Sequence, residues 1–167
     1  MHLPKSSYLF IGFFIFLTNN VLGANSLCNL SEDIIFSCDM KNNKKLSICS
    51  KVENGQLTIN YKYGELKNIE MIFPKQNAGN NTLFKYNHYI RYQTDYFRLA
   101  FKNNDYLYEI YRNYDGNKVN AGVIVSEPLS TRPYDNMCKT VEIDNISNVS
   151  KYINCDTDYA LGCASAE

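Results

Sequence analysis

The chain has 167 residues, in which 17 basic and 17 acidic side chains cancel. With no basic stripe, nucleic acid is excluded as the expected ligand, and so is a polybasic role at a membrane surface. Fourteen tyrosines occur with no tryptophan, in a background rich in Asn, Lys and Ile that an AT-rich coding sequence also produces.

The N-terminus reads as an export signal. Lys5 supplies a positive n-region, and Leu9 to Leu17 is an apolar run too short to cross a bilayer. Val21-Leu22-Gly23 ahead of Ala24 places small residues for cleavage, so the expected division is a signal peptide at 1–23 and one domain at 24–167, with no stable membrane insertion. Cleavage after Ala24 is the near alternative. A lipid anchor is disfavoured because Leu27 precedes Cys28, where a small residue belongs. The remaining length suits one hydrophobic core. Cys28, Cys38, Cys49, Cys138, Cys155 and Cys163 all lie beyond the signal, and an even count in an exported chain implies disulfides. The shortest spacing, Cys155 to Cys163, does not suit a zinc site.

From there the chain reads as strand after strand. Ile34 to Met40 and Lys45 to Ser50 flank a polar turn over 41–44 and predict a hairpin. A turn centred between Asn43 and Lys44 puts Cys38 opposite Cys49, within reach of a cross-strand disulfide; the competing partner is the distant Cys138. Asn54-Gly55 is a type I′ turn signal. The next run, Gln56 to Tyr63, alternates Leu57, Ile59, Tyr61 and Tyr63 with polar residues and predicts one buried face, closed by Gly64. Asn68 to Phe73 is the following strand, stopped by Pro74, and Ala78-Gly79-Asn80-Asn81 is a polar loop.

Phe84 to Arg98, "FKYNHYIRYQTDYFR", reads as a strand and its turn. By parity Phe84, Tyr86, His88, Ile90 and Tyr92 share an aromatic, core-facing side, and Lys85, Asn87, Tyr89, Arg91 and Gln93 a wet one. Phe97, Leu99 and Phe101 then face opposite to Arg98 and Lys102. Strands at Tyr106 to Tyr111 and Asn120 to Val125 follow turns at Asn103-Asn104-Asp105 and Asp115-Gly116-Asn117. Beyond Pro128 and Pro133, Met137 to Ile143 reads as a last short strand. Apolar residues at 146, 149, 152 and 153 predict a short helix capped by Asp144, and Cys155 with Cys163 predicts a bridged tail. The fold class expected is all-β, an antiparallel meander of about eight strands forming a small barrel or a sandwich.

No phosphate-binding glycine loop, dinucleotide fingerprint, zinc-protease motif or nucleophile elbow occurs in the sequence. His88 is the one histidine beyond the signal, and the cysteines are assigned to disulfides, so nucleophilic catalysis has little to work with. The chain is read as non-enzymatic, with no cofactor and no metal. The binding candidates are Tyr89, Arg91, Tyr96 and Arg98, because Tyr and Arg are the types enriched at interfaces; arginine also binds carboxylates bidentately, and tyrosine rings stack on sugars. Sequons begin at Asn29, Asn80, Asn145 and Asn148 and matter only in a eukaryotic source.

The runs "IIFSCDMKNNKKLSICS", "YKYG" at Tyr61 to Gly64, "NHYIRYQTDYFRLAF" at Asn87 to Phe101 and "AGVIVSE" before Cys138 resemble a group of small exported bacterial proteins of uncharacterised activity. The resemblance spans Phe36 to Cys138 and implies a periplasmic or secreted location, in which the sequons are idle. In architecture the chain is also similar to periplasmic lysozyme inhibitors and to immunity proteins that block wall-degrading toxins, an analogy of fold alone. The function expected is therefore a binding protein that inhibits or neutralises a wall-active enzyme or toxin. One alternative is a carbohydrate or cell-wall binding module that stacks glycan on tyrosine rings. The other is a hydrolase using acidic residues near His88.

Overall fold

A computed structural model describes residues 26–53, 55–75, 80–128 and 130–164. The predicted signal at 1–23, Asn54 of the predicted turn and Ala78-Gly79 of the polar loop lie outside these residues. Ten strands follow in order: β1 (Asp33–Met40), β2 (Lys45–Glu53), β3 (Gln56–Glu65), β4 (Asn68–Phe73), β5 (Phe84–Arg91), β6 (Thr94–Asn103), β7 (Tyr106–Asp115), β8 (Lys118–Ser126), β9 (Tyr134–Asp144) and β10 (Asn154–Cys155). They form one sheet in the order β10-β5-β6-β7-β8-β9-β1-β2-β3-β4. The all-β expectation holds, with more strands than the eight anticipated, and in place of a closed barrel or a two-sheet sandwich the sheet curls into a half-barrel.

Two features make the curl. β9 starts directly after Pro133 and spends Tyr134–Met137 on β8 before Cys138–Asp144 pairs with β1, so one long strand joins the two meanders. An aromatic cluster then draws the two ends of the sheet together across the interior. Phe73 of β4 stacks on Phe101 of β6 at 4.2 Å between centroids, and Tyr61 of β3 meets the same ring at 5.1 Å. Phe84 and Tyr108 pack on Phe101 as well. Such pairs contribute about 0.5–1.5 kcal/mol each beyond the area they bury.

The inner face follows the strand alternation read from the sequence. Leu46 and Ile48, Ile59 and Tyr61, and Phe97, Leu99 and Phe101 are all buried in one core, with His88 beside them. At one end the predicted C-terminal helix is a 3-10 turn, Ile146–Lys151, which places Ile146 and Val149 in that core. Asp144 does not cap it. That residue ends β9, and its carboxylate lies 2.8 Å from Arg112 Nε, because a charge at this position gains more from a facing guanidinium than from a 3-10 terminus. Gly64 does not end β3 either. At φ 144° it sits in a bulge where a Cβ would meet Asn68 O and Glu70 N at 2.6 Å, so the close approach of β4 requires glycine there.

All six cysteines are paired, as expected, but not Cys38 with Cys49. The bridges are Cys28–Cys49, Cys38–Cys138 and Cys155–Cys163. The β1–β2 turn is tighter than anticipated: Met40 N donates to Lys44 O and Cys38 pairs with Leu46. That offset puts Cys38 and Cys49 on opposite faces. Cys38 turns inward to the neighbouring β9, and Cys49 turns outward to the N-terminal segment. The same segment seals the outer face of β1–β3, where Leu27 N donates to Ser47 Oγ and the buried Lys62 ammonium pairs with Glu32 at 2.6 Å.

Candidate binding face

The outer faces of β5, β6 and β7 form a regular grid because the three strands pair without a bulge. Asn87, Arg98 and Tyr111 lie across from one another, as do Lys85, Ala100 and Glu109. Tyr89 faces Tyr96, and Arg91 faces Thr94. Three of the four predicted binding residues meet at one end of this grid. The Tyr89 and Tyr96 rings stack at 6.0 Å, and the Arg91 guanidinium lies 5.0 Å from the Tyr89 ring. The Tyr96 hydroxyl donates to Asp115 at 3.3 Å, and desolvation followed by that carboxylate holds its pKa above the usual 10.0. The hydroxyl therefore keeps its proton and acts as a donor.

The β5–β6 turn, Tyr92-Gln93, projects beyond the stack. Gln93 takes φ 56° and its carbonyl accepts from Gly116 N at 2.8 Å, which ties this turn to the β7–β8 turn beside it. Tyr92 is 89% exposed and Ile90 43% exposed. Both belong to the face expected to be core. They escape burial because the sheet interior ends near His88, so the alternation continues past the last residue that has a core to enter.

Arg98 does not belong to this patch. It is 5% exposed, and the expectation of a solvent-facing arginine fails because the tail covers it. Arg98 Nε donates to Glu109 at 2.5 Å, Nη1 donates to Asn87 Oδ1 at 2.8 Å, and the guanidinium lies 3.8 Å from the Tyr159 ring. Asp156 adds a second carboxylate at 3.4 Å. The tail reaches this position by adding to the free edge of β5. Asp156 N donates to Tyr86 O, His88 N donates to Gly162 O, and Ala164 N donates to His88 O. Residues 157–161 loop outward between these contacts, and Cys155–Cys163 closes the loop. Asn87, expected on the wet side, is buried for the same reason: its side-chain amide donates to Asp156 O and Gly162 O.

His88 lies where its parity put it, 1% exposed, edge-on to Phe97. Its Nε2 is 2.9 Å from Asp95 Oδ1, and Arg112 Nη1 is 3.0 Å from the other oxygen of the same carboxylate. A chain His88–Asp95–Arg112–Asp144 thus runs along the interior end of the half-barrel. The Arg112 guanidinium lies between the Asp95 and Asp144 carboxylates, and no hydroxyl or thiol nucleophile hydrogen-bonds to His88 among the described residues. The contact with Asp95 fixes the orientation of the His88 ring.

Among the described residues, Cys28, Glu32 and Cys49 bring their donor atoms within 4.8 Å of one another. The two sulfurs are joined in a disulfide, so neither offers a thiolate to a metal. Comparison with family models, curated proteins and solved structures returns no match to this chain. The site therefore rests on its own geometry. Glu109, Asp156 and Tyr159, which organise Arg98, were not singled out from sequence. The paired spacing of Cys155 and Cys163 was the one signal that the tail is structured.

Proposed function

We propose that the protein is an exported, non-enzymatic binding protein whose β5–β6 hairpin tip docks on a partner protein, a wall-active enzyme or toxin that it inhibits. The observation that carries this reading is Tyr92, 89% exposed on a turn held by a backbone hydrogen bond and backed by the Tyr89–Tyr96–Arg91 stack. A large ring on a fixed turn loses little conformational freedom on binding, and Tyr and Arg dominate interface energetics. Three disulfides and the predicted export signal support a periplasmic or secreted setting. The resemblance to small exported bacterial proteins fits the same setting.

The test is a pull-down of the protein from its own periplasm and medium, with Tyr92→Ala and Arg91→Ala in parallel. A stable protein partner lost on Tyr92→Ala supports the reading. Retention on peptidoglycan or chitin with no protein partner would favour the glycan-binding alternative instead.

A further inference from the structure

On the outer face, at the opposite end of the grid from the hairpin tip, a cleft of about 330 Å³ opens between the end of β6 and the start of β5. Its floor is Ala100. A single methyl group there stands between Lys85 on one side and Glu109 on the other, so longer neighbours rise around a short residue. Leu107 and Leu83 supply apolar walls, and Leu83 is 49% exposed.

The rim is positive. Lys85 and Lys102 both line the cleft and are exposed. Neither is ion-paired among the described residues. The acid at the cleft, Asp156, is engaged by Arg98. Two uncommitted ammonium groups beside an apolar floor select against cations and favour a ligand that is anionic at one end and aliphatic at the other.

We propose that this cleft binds a small amphipathic anion, a carboxylate on a short aliphatic body. The chain lies over Ala100 between Leu83 and Leu107, and the carboxylate sits between Lys85 and Lys102. The volume is near the lower end of the range for small-ligand sites, about 300–1,000 Å³, which suits a short chain and not a long lipid. This inference does not depend on the hairpin tip.

Titration with sodium octanoate, followed by amide chemical shifts, tests it. Saturable shifts at Ala100, Lys102 and Leu107 are expected, with a dissociation constant on the order of 1 mM for so few ligand atoms. Lys85→Gln with Lys102→Gln is expected to weaken octanoate about fivefold while leaving octanol unchanged. Both lysines are exposed, so the fold persists in that variant. Ala100→Leu fills the floor and should abolish binding of both probes. The proposal is overturned if octylamine binds as well as octanoate, if shifts fall outside the cleft, or if Ala100→Leu binds octanoate unchanged.

Discussion

Arg98 shows how a charged residue is retained inside a small β-protein. Its guanidinium and the Glu109 carboxylate are 7% and 15% exposed, so each depends on the other for the solvation both have lost. Arg98→Ala should destabilise the protein by about 3–5 kcal/mol in urea unfolding, because Glu109 is then stranded. Arg98→Lys should recover only part of this, since an ammonium lacks the planar fork that serves Glu109 and Asn87 together. A loss under 1 kcal/mol for Arg98→Ala would mean that water reaches Glu109 freely. Tyrosines set a second residue-scale property. Burial above all raises Tyr61, and burial followed by the Asp135 hydrogen bond raises Tyr111, both from 10.0. Above pH 10 the unfolded chain releases these protons while the folded chain retains them, so stability is full below that pH and falls as pH rises beyond it. Tyr61→Phe should flatten the alkaline limb of a stability-versus-pH curve. Parity in the sequence was enough to send His88 inward and Arg98 outward. It could not say what covers an outer face, because the cover comes from Asp156 and Tyr159, far along the chain.

The tail and the first hairpin mark the limits of local reading among the elements. Alternation located β3 and β6 because each has one consistently buried face. The β1–β2 register differs from the expected one because the turn closes at Met40 and Lys44, which sets Cys38 against Leu46, and a bulge between Ile34 and Phe36 shifts it one residue further. Nothing in a hairpin's composition states its exact centre when Asn and Lys fill the turn. The tail was legible only as a pair of cysteines, yet it supplies the hydrogen bonds that occupy the β5 edge and so blocks edge-to-edge pairing there. Replacing Cys155 and Cys163 by Ser should cost about 2–3 kcal/mol on the loop-entropy model. It should also speed hydrogen exchange at the His88 amide, whose acceptor is Gly162 O. An unchanged exchange rate would show that backbone pairing alone holds the tail.

For the whole molecule, the curl depends on contacts between residues distant in sequence, which no window of the chain displays. Phe73 and Phe101 lie near opposite ends of the sheet order and stack at 4.2 Å. Phe101→Ala should cost about 3–5 kcal/mol, a large share of the ~5–15 kcal/mol typical of a domain. Phe73→Leu, which keeps a branched apolar side chain but loses the stack, should cost less; thermal unfolding of the two variants compares the two losses. The Cys38–Cys138 bridge spans 100 residues, and removing it as an Ala pair should cost up to about 4–5 kcal/mol.

That bridge and its neighbour also decide what a protease can detach. Cys28–Cys49 and Cys38–Cys138 overlap, so any single backbone cut from residue 28 to residue 138 leaves both pieces covalently tied. Cys155–Cys163 ties the final loop only to itself. Between the first and last cysteine, the stretch from 138 to 155 is therefore where one cut releases a fragment. The fragment released is the one that shields Arg98 and occupies the β5 edge. A nick after β9 would leave the tail held to β5 and β6 by non-covalent contacts alone, while the sheet from β1 to β9 stays cross-linked.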